Sequence, residues 1–179
     1  MPSELEVLRI VSERLDAAQT PFMLTGSFAM AYYTTPRMTR DIDLVIELSG
    51  AKVTALAAQF SGDFYIDIDA VRAAARSEGF FNVMHLASGI KVDFIVCKSA
   101  EYRQVEFARR QRVRFGGIDC CIVSREDLIL SKLVWSRETR SELQHRDVRA
   151  LLDGVVDQRY MRRWAADLGV LETLEGMIS

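Results

Sequence analysis

The sequence predicts an α/β fold of the α+β kind: a mixed β-sheet core followed by a helical C-terminal part. Three observations predict it. Up to about residue 124, short apolar stretches of strand length alternate with segments of helical period. One pair of those stretches flanks Gly89 as a hairpin, and "RVRFGG" and "DCCIVS" make another strand pair. From Arg125 onward the pattern is helical. The expected organisation is a core over residues 1–124, with about four to six strands and helices on one face, and a helical part over residues 125–179 packed on it.

Each element has its own signal. Ser3 and Glu6 make a capping box, and Leu5, Leu8, Val11 and Leu15 recur at helical spacing, so residues 3–18 read as a first helix. "FMLTG" after Pro21 reads as a buried strand, and Gly26-Ser27 turns the chain into the helix "SFAMAYY". Residues 41–48 read as a strand that Ser49-Gly50 breaks, and "AKVTALAAQF" as a helix. "FYID" is a strand, Asp69 is the expected cap of "AVRAAARSEG", and Gly79 its expected stop. "FNVMHLAS" and "IKVDFIVC" are the strands around Gly89. A charged helix near 99–110 precedes the strand pair "RVRFGG" and "DCCIVS". Ser124 with Asp127 opens the helix "SREDLILSKLVW". Trp135 and Trp164 read as core, and His85 as a satisfied structural histidine. Met161, Trp164, Leu168, Leu171 and Leu174 lie along a helical stripe, for core packing or for a partner surface.

Composition narrows the function classes. At 179 residues, 49% hydrophobic and 27% charged, the chain can bury an ordinary core. No apolar run approaches a membrane span, and "MPSELEVLRI" has acids where a signal peptide is basic, so a cytoplasmic protein with no membrane partner is expected. Cys97, Cys120 and Cys121, two of them adjacent in an apolar run, make neither a disulfide framework nor a metal site. A net charge of −2 gives no general pull toward polyanions. Arg and Lys do outnumber Asp and Glu between Glu101 and Arg149, as a solvated face or a polyanion-facing surface would require.

The chemistry centres on "TGSFAMAYYTTPRMTRDIDLVIEL", residues 25–48. Residues two apart on a strand share a face, so Asp41 and Asp43 point the same way, with carboxylates roughly 6–7 Å apart along the strand. Such a pair is costly at the edge of a core unless a cation meets it, and Mg²⁺ is satisfied by a few carboxylates plus substrate phosphates. Asp93 in "IKVDFIV" is the expected third carboxylate. Asp67 and Asp69 form a second Asp-x-Asp, but no Gly-Ser turn precedes it. Gly26-Ser27, at a strand-to-helix junction, offers free N–H groups, a hydroxyl and close backbone approach to a phosphate. Lys132 lies among Leu130, Leu133 and Val134, as either a snorkelling surface lysine or a phosphate ligand. Arg37 and Arg40 would pair with the aspartates or grip substrate phosphate.

These residues resemble the signature of the nucleotidyltransferase superfamily that includes DNA polymerase beta: Gly-Ser, a helix, Asp-x-Asp and a later strand Asp. More narrowly, Arg37-x-Thr39-x-Asp41-Ile42-Asp43-Leu44, "FNVMHLASGIKVDFIV" and "SKLVWSRETRSELQHRDVRALL" resemble the AbiEii-type toxin nucleotidyltransferases of bacterial toxin–antitoxin systems. The resemblance runs from residue 22 to residue 152. It implies that Ser27 holds the β- or γ-phosphate of a nucleoside triphosphate (NTP). Asp41 and Asp43 would bind Mg²⁺, with two ions expected, and Asp93 would complete the site and help deprotonate the acceptor hydroxyl. Lys132 would lie against the triphosphate, with Arg37 also nucleotide-binding. Arg137, Arg146 and Asp147 match a helix with basic residues followed by Arg-Asp. The expected activity is transfer of a nucleoside monophosphate (NMP) from the NTP to a hydroxyl of an RNA such as tRNA, of a protein or of a small molecule. An antitoxin partner is implied. The alternatives are an antibiotic-modifying nucleotidyltransferase and an inactive member that serves as a regulatory or partner-binding protein.

Overall fold

The capping box at Ser3 forms. Its Oγ accepts from the Glu6 N–H at 3.3 Å, the Glu6 carboxylate accepts from the Ser3 N–H at 2.7 Å, and helix α1 runs Glu4–Ala17. The computed structural model describes residues 3–35, 41–139 and 141–178. Strand β1 (Phe22–Thr25), buried throughout, leads directly into α2 (Gly26–Tyr33), and β2 spans Ile42–Ile46. A 3-10 turn at Gly50–Lys52 opens α3 (Val53–Gln59), and β3 (Phe64–Ile66) precedes α4 (Ile68–Ser77). The Gly89 hairpin joins β4 (Phe80–His85) to β5 (Lys91–Val96). After α5 (Glu101–Ala108), the second hairpin is β6 (Gln111–Phe115) and β7 (Ile118–Ile122). Four helices follow: α6 (Arg125–Thr139), α7 (Glu142–Leu152), α8 (Gln158–Asp167) and α9 (Leu171–Ile178).

Among the described residues the strands form one seven-stranded sheet, in the order β3-β4-β5-β2-β1-β7-β6. This exceeds the expected four to six because the second hairpin docks onto the first sheet: β7 joins β1 in parallel through Leu24 and Ile122. The sheet is mixed, with β2 antiparallel to β1 and parallel to β5. Burial alternates residue by residue along β2, β4 and β5. Ile42, Leu44, Phe81, Val83, Val92 and Phe94 therefore enter the core with Val7, Leu8 and Val11 of α1, Leu56 of α3 and Val71 of α4, while Asp43, Asn82 and Asp93 face the other way.

Several local expectations are corrected. The cap of α4 is Asp67, which accepts from the N–H groups of Asp69 and Ala70; Asp69 instead pairs with Arg72 at 2.9 Å. Asp67 holds extended backbone, so its carboxylate can reach the free N–H groups of the first turn. The left-handed residue that ends α4 is Glu78 (φ 50°), not Gly79. The Glu78 carboxylate is held by the N–H and Oγ of Ser99 at 3.0 and 3.2 Å. Trp135 is 56% exposed, whereas Trp164 is buried. The C-terminal stripe is split between α8 and α9 at Gly169 (φ 67°), yet Met161, Trp164 and Leu174 are all buried in the core. His85 is buried, bonded to Ser88 at 2.8 Å and edge-on to Phe64.

Phe94 is fully buried between Phe81, on which it stacks at 5.0 Å, and Phe60, which it meets edge-on at 5.6 Å. Phe94→Ala should lower the free energy of unfolding by about 3–5 kcal/mol, read as a lower urea midpoint at unchanged slope.

Candidate active site

Two parallel strands build the site. The register of β2 on β5 sets Asp43 beside Asp93, and β1 on the other side sets Thr25 beside Asp43. The chain turns into α2 one residue after Thr25, at Gly26 (φ 67°), where a side chain would be strained and a Cβ would overlap the Asp43 carboxylate. Glycine here is required by the aspartate as much as by the turn. Ser27 follows at the second position of α2. The far end of α2 is tied down: Tyr33 Oη donates to the Val123 carbonyl at 2.6 Å, and Arg125 Nη2 donates to the Tyr33 carbonyl at 3.2 Å.

Asp41 stands one residue before β2 on the same side as Asp43. Between Asp41 and Asp93 lies a cation that the sequence reading did not single out. Lys91 Nζ is 2.8 Å from Asp93 Oδ2 and 3.8 Å from Asp41 Oδ2. Its signal was nonetheless present, since Lys91 is two residues before Asp93 on one strand and so shares its face. Burial, then the charges of Asp93 and Asp41, push the Asp43 carboxyl up to about 6, against the opposing pull of Lys91 and Lys132.

Lys132 is not a snorkelling surface residue. It is 5% exposed on α6, donating to Asp147 of α7 at 2.6 Å and to Gln144 at 3.2 Å. The Arg-Asp pair of the sequence thus separates: Asp147 turns inward to Lys132, while Arg146 is exposed. Arg137 donates to the carbonyls of Leu168 and Gly169 at the end of α8, a structural use. Arg37, Thr39 and Arg40 lie outside the described residues. The second Asp-x-Asp is consumed locally, as the α4 cap and the Arg72 pair.

Among the described residues, no three His, Cys, Asp or Glu side chains close on one point as a ready metal site. The donor chemistry nevertheless fits a hard cation. The charges of Asp93 and Asp41 are both felt at Asp43, and Asp41 and Asp93 face a lysine ammonium that already supplies positive charge there. Mg²⁺ takes one or two carboxylates and completes its shell with water and phosphate oxygens.

One feature had no sequence signal, because it depends on which strand is at the edge. Tyr65, Phe80, Met84 and Leu86, all large and exposed, lie on the end of the sheet formed by β3 and β4. The cross-strand row Tyr65–Met84–Lys91 leads toward Asp41, and the next row is Asn82–Asp93–Asp43–Thr25.

The sequence matches, over residues 9–168, the family described as "Nucleotidyl transferase AbiEii toxin, Type IV TA system". This chain belongs to the AbiEii nucleotidyltransferase family. It is therefore an enzyme of NMP transfer, and its fold is shared with solved nucleotidyltransferases. The antibiotic-resistance factor ANT(2'')-Ia, studied in solution, is similar at 14% identity, with 95% of each chain covered and a TM-score of 0.62. The lincosamide antibiotic adenylyltransferase LnuA is similar at 13% identity, covering 83% of this chain and 94% of that one, with a TM-score of 0.54. An antigenic nucleotidyltransferase-like protein from Paracoccidioides brasiliensis has 18% identity, 84% and 76% coverage and a TM-score of 0.56. At these identities the likeness is one of fold. No curated protein matches the sequence.

The pH dependence of stability in this AbiEii-family protein tests the carboxylate cluster. A raised carboxyl pKa in the folded state means that the folded chain holds the proton more tightly than the unfolded one between about pH 4 and 6. Stability conferred by that proton is lost as pH rises through this window. In chelator-containing buffer at pH 7–8, Asp43→Asn should therefore raise the unfolding free energy by about 2 kcal/mol, discounted for the water that reaches a half-buried group. The gain should shrink toward zero at pH 4, as read from urea midpoints across pH.

Proposed function

We propose that this nucleotidyltransferase moves an NMP from an NTP to an acceptor hydroxyl with divalent-metal assistance, using Asp41, Asp43 and Asp93 as the metal-binding carboxylates. The observation that carries the reading is the strand register that sets Asp43 beside Asp93, directly against the Gly26-Ser27 turn. Mg²⁺, as two ions, would supply charge neutralisation at the α-phosphate and at both the entering and leaving oxygens. The chain's own part follows from its groups. The Ser27 hydroxyl and the N–H groups at the start of α2 receive the β- or γ-phosphate, and Gly26 lets the backbone come close. Lys132, whose positive charge is felt at Asp43, acts on the triphosphate from α6, with Asp147 holding its ammonium in place. Arg37 adds a further phosphate contact. Asp93 accepts the proton of the acceptor hydroxyl as its oxygen bonds to the α-phosphorus and pyrophosphate leaves. The acceptor approaches over the exposed strip of Tyr65, Phe80 and Met84, which favours one with an apolar or stacking face, whether an RNA end, a protein or a small molecule.

Incubation with each α-labelled NTP and a bacterial extract should yield a labelled acceptor in Mg²⁺ and none in chelator. Asp93→Asn, which keeps the shape but removes a ligand charge and a base, should reduce labelling by at least about a hundredfold with the fold intact. Unchanged turnover would refute the assignment.

We further propose the toxin role, with an antitoxin as partner, on family membership. Expression of the wild-type chain in bacteria should slow growth, and expression of the Asp41→Ala/Asp43→Ala double variant should not. Equal growth of the two cultures would remove the toxin role and leave the transferase chemistry standing.

A further inference from the structure

Lys91 is the group at this site whose position no catalytic role above requires. It extends from β5 on the same face as Asp93, its ammonium 2.8 Å from Asp93 Oδ2 and 3.8 Å from Asp41 Oδ2. A lysine ammonium is a compact, strongly hydrated point charge on a flexible stem, without the rigid fork of arginine. It therefore neutralises carboxylates without locking their geometry, and it can leave by stem rotation. This side chain has room to do so, since it is 38% exposed and Asp41 is 55% exposed, while Asp93 is only 21% exposed. The positive charge thus sits on the most enclosed of its partners and opens toward the solvent side.

Taken with the metal-assisted reading, on which the inference rests, we propose that Lys91 is a built-in counter-ion that makes divalent-cation binding conditional on nucleotide. A cation entering alone must displace an ammonium already bonded to Asp93, and the displaced ammonium gains no new partner. A cation arriving with a triphosphate changes both terms. The phosphate oxygens complete the cation's shell, and they also offer the released ammonium an anion within the reach of its own side chain. Lys91 is then a positioning residue for the metal–nucleotide complex. It holds the carboxylates against mutual repulsion until the complex arrives and disfavours occupancy by a free ion.

The test compares Mn²⁺ binding, by calorimetry and by electron paramagnetic resonance, to wild type, Lys91→Met and Lys91→Arg. Each is measured alone and with an α,β-methylene NTP that cannot be turned over. In wild type, the nucleotide analogue should strengthen Mn²⁺ binding markedly. In Lys91→Met, Mn²⁺ alone should bind about tenfold or more tightly than to wild type, because the competing charge is gone, and the gap between the two conditions should narrow. Lys91→Arg, which keeps the charge, should retain the wild-type gap. A purely structural role would weaken Mn²⁺ binding in Lys91→Met, the opposite sign. Thermal unfolding in chelator should also show Lys91→Met less stable than wild type, with a larger rise in Tm on adding Mn²⁺. Equal or weaker Mn²⁺ binding by folded Lys91→Met overturns the proposal while the metal site itself survives. Failure of wild type to bind Mn²⁺ even with the analogue overturns both, and so identifies the metal-assisted reading as the fault.

Discussion

Asp41, Asp43 and Asp93 stand near enough for their charges to repel, and the arrangement of this end of the protein follows from how that repulsion is met. Asp43 and Asp93 are direct neighbours in a parallel register, so their separation is set by the backbone ladder and cannot be relaxed by side-chain choice alone. The raised pKa of Asp43 is the visible cost, and the Lys91 ammonium on Asp93 and Asp41 is the visible compensation. Gly26 belongs to the same constraint. Its missing Cβ is where the Asp43 carboxylate sits, so the turn that begins α2 and the acid on β2 cannot be varied independently.

A second ionic pair anchors the helices to this site. Lys132 and Asp147 are each 5% exposed, and a pair taken so far from water persists only with good geometry, here 2.6 Å with a further bond to Gln144. It joins α6 to α7, and its positive end reaches electrostatically to Asp43. In the first turn of α6, Asp127 is wholly buried and collects Ser124 Oγ, Arg109 Nε and Tyr160 Oη at 2.6, 3.1 and 2.6 Å. These bonds tie α8 and the end of α5 to one carboxylate, so this buried charge is paired where the helices meet.

The sheet itself divides labour by face. The period-2 alternation of β2, β4 and β5 sends apolar residues into a core shared with α1, α3 and α4, and polar ones to the open side. On that side the carboxylates run laterally into Tyr65 and Met84, with Phe80 and Leu86 nearby. This face thus carries charge at its centre and exposed aromatic surface at its edge.

Local signals in the sequence determined the secondary structure closely. The Ser3 capping box, the Gly89 hairpin and the alternation around Asp43 and Asp93 all appear where the residues indicate, because capping and periodicity act within a turn or two of chain. The three carboxylates and the Gly-Ser turn were legible for the same reason: each is a short pattern whose meaning lies in its spacing. Sequence could not tell which of two nearby residues ends or caps a helix, as with Asp67 over Asp69 and Glu78 over Gly79, since that turns on backbone angles at single residues. Nor could it show that Trp135 faces solvent, that the second hairpin joins the sheet through Leu24 and Ile122, or that Lys132 is buried on Asp147 rather than snorkelling. Those outcomes, like the Lys91 ammonium between Asp41 and Asp93, depend on segments far apart in the chain, or on opposite sides of a strand pairing, closing to within a few ångströms. That closure is the product of the packed core, and no local stretch of residues encodes it.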